Sequence, residues 1–450
     1  MADEHDTIAA LATATGRSGI AIIRASGPLC ASIAQSLTGE LPEPRTATYC
    51  LFKNDNGEVI DEGVLIYFQK PASYTGEDVL ELHGHGGNIV PRMLLQRVID
   101  LGARHARPGE FTERAFLNGK IDLLQAEAVA DLIDSSSERA ARSAIRSLEG
   151  VFSAQIGTLL QMVIELRACV EGALDFPEEE IDFLQEENIG ASVRESINKI
   201  DDILEKVKRG RVLREGLNLI IVGRPNVGKS SLLNQLAQTE RAIVTEIPGT
   251  TRDLIEEQIQ IDGMAVNIID TAGIRETEDL VEQEGVRRAL SAIEAADIIL
   301  LVKDSTSVED EDDFVYDKVF ADKTVIIVNN KIDLGGLPPA TTIDDQGRIT
   351  VNVSVKYGEG MDLLMQQLQQ RFVEEVSGED VILARARHIR ALEETRQCIE
   401  SGLEEYLQHK SAELLAEELR QAQESLGKIT GKFVPDDLLG EIFSRFCIGK

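Results

Sequence analysis

Short apolar runs and long apolar stripes occupy different parts of this chain, and their spacing divides it before any chemistry is considered. Consecutive hydrophobic residues such as Ile20-Ala21-Ile22-Ile23 and Val64-Leu65-Ile66-Tyr67-Phe68, set among Gly-rich turns and one helical stretch over residues 89–101, predict an α+β domain over residues 1–120. From Ile121 the period changes. Leu124, Ala128 and Leu132, then Leu159, Met162, Val163 and Leu166, recur at helical spacing with few breakers before Pro177. After the acidic residues 178–187 another amphipathic stretch runs towards Arg211, so residues 121–211 are predicted to be helical. Apolar runs at 219–222, 266–269, 298–302, 325–328 and 349–353 then alternate with helical stretches, the pattern of a parallel sheet with crossover helices, over residues 212–373. From about Glu374 the pattern is helical again, through 391–426 and 437–446, making residues 374–450 a second helical part. An α/β module inserted in a helical domain follows, an arrangement that the usual closeness of domain termini allows.

Charge narrows the partners. The 450 residues carry 46 Lys and Arg against 78 Asp and Glu, a net charge of -32, so the surface as a whole repels phosphate backbones and anionic lipid. Contact with RNA would gain from a partner that supplies basic surface. Cys30, Cys50, Cys169, Cys398 and Cys447 form no CxxC pair, which argues against a disulfide framework or thiolate zinc site and for a reducing compartment. The acidic start MADEHDTIAA is unlike a secretory signal, and no run of about 18 apolar residues occurs. A cytoplasmic protein that neither enters nor spans a membrane is expected.

The chemistry begins where the strand at 219–222 ends. Gly223-Arg224-Pro225-Asn226-Val227-Gly228-Lys229-Ser230, followed by Ser231 and an apolar helix, matches the phosphate-binding GxxxxGK[ST] loop in the required strand–loop–helix order. Its glycines let backbone N–H groups turn around a β-phosphate, Lys229 neutralises β/γ oxygens, and the Ser230 hydroxyl can ligate Mg²⁺. Asp270-Thr271-Ala272-Gly273 ends the strand at 266–269 and brings a carboxylate and a flexible glycine beside the metal and γ-phosphate. Asn330-Lys331-Ile332-Asp333 ends another strand, where the Asp333 carboxylate can accept two hydrogen bonds from guanine's ring N–H and amine; adenine offers no such pair, so GTP is favoured. Ser354-Val355-Lys356 is a backbone clamp for the guanine oxygen. Between the first two elements lies a polar switch, Thr245-Glu246-Ile247-Pro248-Gly249-Thr250-Thr251, with Thr251 placed to sense the γ-phosphate through Mg²⁺. Ras-like enzymes orient water with a Gln after the DTAG element; Ile274 stands here and can neither donate nor accept a proton. Glu282 and Glu284, in the following acidic stretch, are both candidates for that work.

Outside this module the residues are more distinctive. Thr7-Ile8-Ala9-Ala10 with Gly16-Arg17, the run from Tyr74 to Leu82 (YTGEDVLEL), Ala106-Arg107-Pro108-Gly109-Glu110-Phe111, and the terminal Cys447-Ile448-Gly449-Lys450 resemble the bacterial tRNA-modification GTPase family MnmE, also called TrmE, over essentially the full length. The resemblance implies a multidomain protein: an α+β N-terminal folate-binding and dimerisation domain, an α-helical central domain, and an inserted Ras-like α/β P-loop GTPase domain. It implies K⁺ beside the phosphates, held by Asn226, Thr245, Ile247 and Thr250, and Glu282 as the carboxylate that orients water. It implies a tetrahydrofolate derivative, 5-formyl or 5,10-methylene, at Arg24, Glu81, Lys120 and Lys450, with Cys447 in the modification chemistry. It also implies a homodimer, an FAD-dependent partner, MnmG, in a heterotetramer or larger complex, and tRNA bound mainly through that complex. A ribosome-assembly switch would share the GTPase elements but would append a basic RNA-binding module, and would leave residues 1–120 and the CIGK end unexplained. His83-Gly84-His85-Gly86-Gly87 lacks further ligands at metal spacing and is expected to form a tight turn before the helix at 89. Arg385, Arg387, His388 and Arg390 make a small basic cluster that is either helix surface or a contact for tRNA or a partner.

Overall fold

A computed structural model describes residues 6–135, 137–175, 186–239, 257–261, 264–270, 293, 296–307, 323–344, 347–376, 381–409, 411–432, 436–444, 446 and 449. It divides into two compact units, one of Met1–Ile133, Arg146–Ile200 and Ala391–Lys450, the other of Asp134–Ile145 and Asp201–Arg390.

In the first unit, strands β1 (Ile8–Leu11), β2 (Ile20–Ser26), β3 (Thr48–Lys53), β4 (Val59–Phe68), β5 (Val79–His85) and β6 (Arg104–His105) form one sheet in the order β3-β4-β5-β2-β1-β6. Helices α1 (Cys30–Thr38) and α2 (Val90–Asp100) pack on it. Strand side chains alternate between faces. Ile23, Ala25, Leu80, Leu82 and Leu65 therefore join Ile33 and Leu37 of α1 and Leu94 and Val98 of α2 in one buried core. Their neighbours Arg24 and Glu81, paired directly across β2 and β5, face the other way. That alternation positions the second candidate site described below. Helix α3 (Glu110–Leu117) begins at Gly109 and buries Glu110, whose carboxylate accepts from Arg104 Nη1 at 2.8 Å and from the Arg107 amide at 2.7 Å.

The expected helical stretch from Ile121 is three helices: α4 (Leu123–Ile133), α5 (Glu138–Leu148) and α6 (Val151–Asp175). Ser137 caps α5 by accepting the Ala140 amide at 3.2 Å, and Gly150, with φ of 88°, separates α5 from α6. Along α6 the residues Phe152, Ile156, Leu159, Val163, Leu166 and Val170 are buried at alternating spacings of four and three. Leu415, Leu419, Ala422, Leu426 and Ile429 repeat the pattern on the helix Ala412–Thr430, which packs along α6. The helical stretch expected over 391–426 is two helices, Ala386–His409 and Ala412–Thr430, because the Ser411 hydroxyl accepts from the Leu414 amide and starts a new N-terminus. Of the expected turn, only Gly86 and Gly87 leave the sheet before α2, Gly87 with φ of 122°; His83-Gly84-His85 completes β5, pairing with Ile20, Ala21 and Ile22, and its end is fixed by Asp61, which accepts the His85 amide at 2.8 Å and meets Nδ1 at 2.8 Å. The hydrogen bond to Asp61 holds the His85 imidazole above its ordinary pKa.

The second unit contains the long helix α7 (Glu186–Glu215) from Asp201 onward, then β7 (Leu217–Val222), α8 (Lys229–Thr239), β8 (Glu257–Ile261), β9 (Met264–Asp270), β10 (Ile298–Asp304), β11 (Thr324–Asn330), β12 (Ala340–Ile343) and β13 (Ile349–Asn352). The sheet order is β12-β13-β11-β10-β7-β9-β8, with the five central strands parallel and β12 and β8 antiparallel at the edges. Continuous apolar runs such as Ile298 to Val302, all 6% exposed or less, are what strands covered on both faces require.

Residues 374–390, expected to be helical, include a stretch outside any helix or strand, Val381-Ile382-Leu383-Ala384, buried against α7. The Ile382 amide donates to Lys206 O at 3.4 Å and the Ser143 hydroxyl of α5 to Val381 O at 2.8 Å. Gly210, a helix breaker in mid-helix, is explained by this crossing: a Cβ there would lie 1.7 Å from Ile382 O. Replacing an interior helical glycine by alanine ordinarily stabilises by about 0.5–1 kcal/mol. Gly210→Ala is expected to reverse that sign and destabilise by about 1–3 kcal/mol, because backbone must move. Gly157→Ala on α6, which meets nothing within 4 Å, serves as the control. Urea midpoints of both variants decide; equal midpoints would mean that the crossing yields without cost.

Candidate active site

The carboxyl ends of β7, β9, β10 and β11 converge on the phosphate loop, where open α/β sheets bind ligands. Gly228 has φ of 105° and lies against Asn330, so that a Cβ would come within 2.3 Å of Nδ2 and only glycine fits. Asn330 itself is buried and bridges two loops: Nδ2 donates to Val227 O at 2.8 Å, and Oδ1 accepts the Val355 amide at 3.1 Å. The sequence suggests nothing of this bracing role. Asn226 is held in the left-handed region with φ of 66° and is exposed at the loop crest. Ser230 and Ser231 stand exposed in the first turn of α8, and Lys229 Nζ folds back on the loop carbonyls of Gly223 at 2.7 Å and Arg224 at 2.9 Å. Pairing of Ile221 with Asp270 puts the end of β9 beside the strand that enters the loop.

On the other side of the loop, Ser354 Oγ donates to Asp333 Oδ1 at 2.7 Å, leaving the second carboxylate oxygen to a ligand's donors. Lys331 has φ of 63° and precedes the short helix Ile332–Gly335; its ammonium meets Asp304 Oδ2 at 2.6 Å. That bond holds the Asp304 carboxyl below the usual carboxylate range. Asp304 went unnoticed in the sequence, although a charged residue at the carboxyl end of a parallel strand is a signal that could have found it. Lys356 Nζ lies 5.0 Å from the Tyr357 ring centroid. Of the remaining predicted nucleotide and metal residues, Thr245, Glu246, Ile247, Pro248, Gly249, Thr250, Thr251, Thr271, Ala272, Gly273 and Glu282 lie outside the described residues, as does the side chain of Asp270.

A second constellation lies in the first unit. Arg24 Nε and Nη2 both meet Glu81 Oε1 at 2.9 Å, and His83 Nε2 lies 3.2 Å from Glu81 Oε2. The Arg24 guanidinium carbon is 5.9 Å from the centroids of both Tyr74 and Phe111, and Tyr74 is fixed by a 2.9 Å hydroxyl contact with Thr112 of α3. Burial raises the Tyr74 phenol's pKa, so the ring is neutral at ordinary pH. Arg24 Nη1 also reaches Gly449 O at 3.5 Å, which brings Gly449 to this face of the sheet. Sequence separates the roles of Arg24 and Glu81; the fold makes them partners. Lys120 stands on the neighbouring loop, where its Nζ donates to Pro71 O at 3.1 Å. Cys447 and Lys450 lie outside the described residues. Tyr74 and Phe111 belong to the distinctive motifs, but their convergence on Arg24 could not be read from spacing.

Comparison with known proteins bears on both constellations. The family model described as the GTP-binding protein TrmE N-terminus matches residues 7–120, and that of the MnmE helical domain matches residues 123–447. Among solved structures, the G domain of the T. maritima FeoB iron transporter is 26% identical over 36% of this chain and 99% of that one, with a TM-score of 0.26. Aquifex aeolicus Era bound to GDP and aluminium fluoride is 22% identical over 51% of this chain and 98% of that one, with a TM-score of 0.27. Full-length relatives carry the assignment. The tRNA modification GTPase MnmE of Pseudomonas syringae pathovar tomato is 51% identical over 99% of both chains, and that of Histophilus somni 51% identical over 99% of this chain and 100% of that one. With identity at that level from end to end, and one family model on each side of residue 121, the chain belongs to the MnmE family of tRNA modification GTPases.

Proposed function

We propose that this chain hydrolyses GTP with K⁺ stimulation and, together with the FAD-dependent protein MnmG, installs a carboxymethylaminomethyl-type group on the wobble uridine of tRNAs from a tetrahydrofolate one-carbon donor. The observation that carries the reading is the presence in one chain, with full-length MnmE relatives, of a phosphate loop braced by Asn330 and of the oriented Arg24–Glu81 pair beside Gly449. We keep the boundaries 1–120 for the folate-binding and dimerisation domain, 121–211 and 374–450 for the helical domain, and 212–373 for the GTPase domain. The protein works as a cytoplasmic homodimer.

Donor chemistry fits the proposed groups. Ser230 and Thr251 would hold Mg²⁺, and the Asn226 side-chain carbonyl with loop oxygens of Thr245, Ile247 and Thr250 would hold K⁺, since hard cations take oxygen ligands. Such cations supply neutralisation of the charge that builds on the phosphates. Lys229 and the loop amides bind and orient the β/γ-phosphates, Asp333 selects the base, and Glu282 orients the attacking water. At the other site, Glu81, held by Arg24 and His83, faces the amino-pyrimidine edge of the pterin, while Lys120 and Lys450 neutralise the carboxylates of the glutamyl tail. Cys447 stands two residues before Gly449 in sequence and serves the modification chemistry.

Equilibrium binding of 5-formyltetrahydrofolate to the full chain tests the folate half directly. Glu81→Gln is expected to weaken it about 10- to 100-fold, the worth of charge-assisted hydrogen bonds, with GDP affinity unchanged. Undiminished folate affinity in the variant would remove Glu81 from the site.

A further inference from the structure

Lys331 is held at both ends. Its backbone occupies the left-handed region, which costs a non-glycine residue free energy and persists only where surroundings over-determine it. Its ammonium meets Asp304 Oδ2 at 2.6 Å. Asp304 is itself fixed, because Oδ1 accepts the Thr306 amide at 3.0 Å and the Thr306 hydroxyl at 2.7 Å. The two strands that carry this pair are in parallel register, Asp304 beside Asn330, and the Ser305 amide donates to Asn330 O at 2.8 Å. A lysine fixed at its Cα and at its head has a methylene stem with little freedom left, and Lys331 stands in sequence between Asn330, which braces the loop, and Asp333, which selects the base.

We propose that Asp304 is a positioning residue for guanine recognition: by holding the Lys331 ammonium it presets the lysine stem as an apolar wall for the face of the base. The inference rests on the reading of Asn330-Lys331-Ile332-Asp333 as the base site. A free lysine would lose its rotamer freedom when the nucleotide binds, whereas one already ordered does not. Asp304 therefore acts on affinity for guanine nucleotides, GDP and GTP alike, and leaves the chemical step alone.

The test uses the full chain with GDP and GTP as probes, in four variants: Asp304→Ala, Asp304→Asn, Lys331→Ala and the Asp304→Ala/Lys331→Ala double. Asp304→Ala is expected to weaken GDP binding and raise KM for GTP about 5- to 30-fold at unchanged kcat. Asp304→Asn, which keeps an acceptor for Thr306 and the side chain's shape but loses the charge, is expected to match it. In the Lys331→Ala background, removing Asp304 is expected to cost nothing further. Losses that simply add in the double variant, or an Asp304→Asn protein that binds as the parent does, would mean that Asp304 only braces its own loop. Lys331→Ala that binds guanine nucleotides normally would overturn the base-site reading and the inference with it. Lys331→Ala that binds weakly while Asp304→Ala binds normally would overturn the inference alone.

Discussion

Asp333→Asn turns nucleotide preference from guanine towards xanthine. The Asp333 carboxylate, steered by Ser354 Oγ at 2.7 Å, accepts two donors from guanine; an amide keeps one acceptor and presents a donor, which suits xanthine's carbonyl. Hydrogen bonds to a charged group are worth about 1.5–3 kcal/mol each, so losing one and reducing the other to a neutral bond lowers GTP affinity on the order of 10²- to 10³-fold. Competition between GTP and XTP for the parent and variant chains reads this out. An unchanged order of preference would mean that the carboxylate does not face the base.

The second large effect is kinetic. Glu282→Ala is expected to slow GTP turnover on the order of 10²-fold or more with little change in nucleotide affinity. Ile274 cannot orient water, and Glu282 is the nearby carboxylate at the family's matching position. It lies nine residues beyond Gly273 in sequence. Single-turnover hydrolysis in K⁺ and in Na⁺ decides the matter. Asn226→Ala should abolish the difference between the two salts while binding GTP nearly as before. A crippled Glu284→Ala beside a normal Glu282→Ala would reassign the water-orienting carboxylate.

Periodicity revealed most of the architecture because it reports burial, and burial is what the elements share. The parallel strands announced themselves as unbroken apolar runs, and the stripe along α6 as a helix. What stayed hidden depends on single atoms. The Ser411 cap interrupts a pattern that remains amphipathic on both sides, so the stripe conceals the break. The stretch 381–384 reads as an apolar helix end because its partner, Gly210, is remote in sequence. At the nucleotide site the loop chemistry was legible from motif order, whereas Asp304 and the bridging role of Asn330 arise from strand register, which spacing does not carry. Likewise, Arg24 and Glu81 were each recognisable as charges, but only the direct opposition of β2 and β5 makes them a pair.

The contact of Gly210 with Ile382 makes a seam. The chain leaves α7 for the nucleotide-binding sheet and returns beside the point of departure, so everything between is a loop whose ends already touch. Closing a free loop of this length costs about 4–5 kcal/mol from its length alone. Once the sheet is folded that entropy has been removed in advance, and the surrounding helices meet a staple instead of a tether. The insertion can thus lengthen, shorten or be exchanged over evolution without disturbing its host, provided that the position facing Ile382 keeps no side chain.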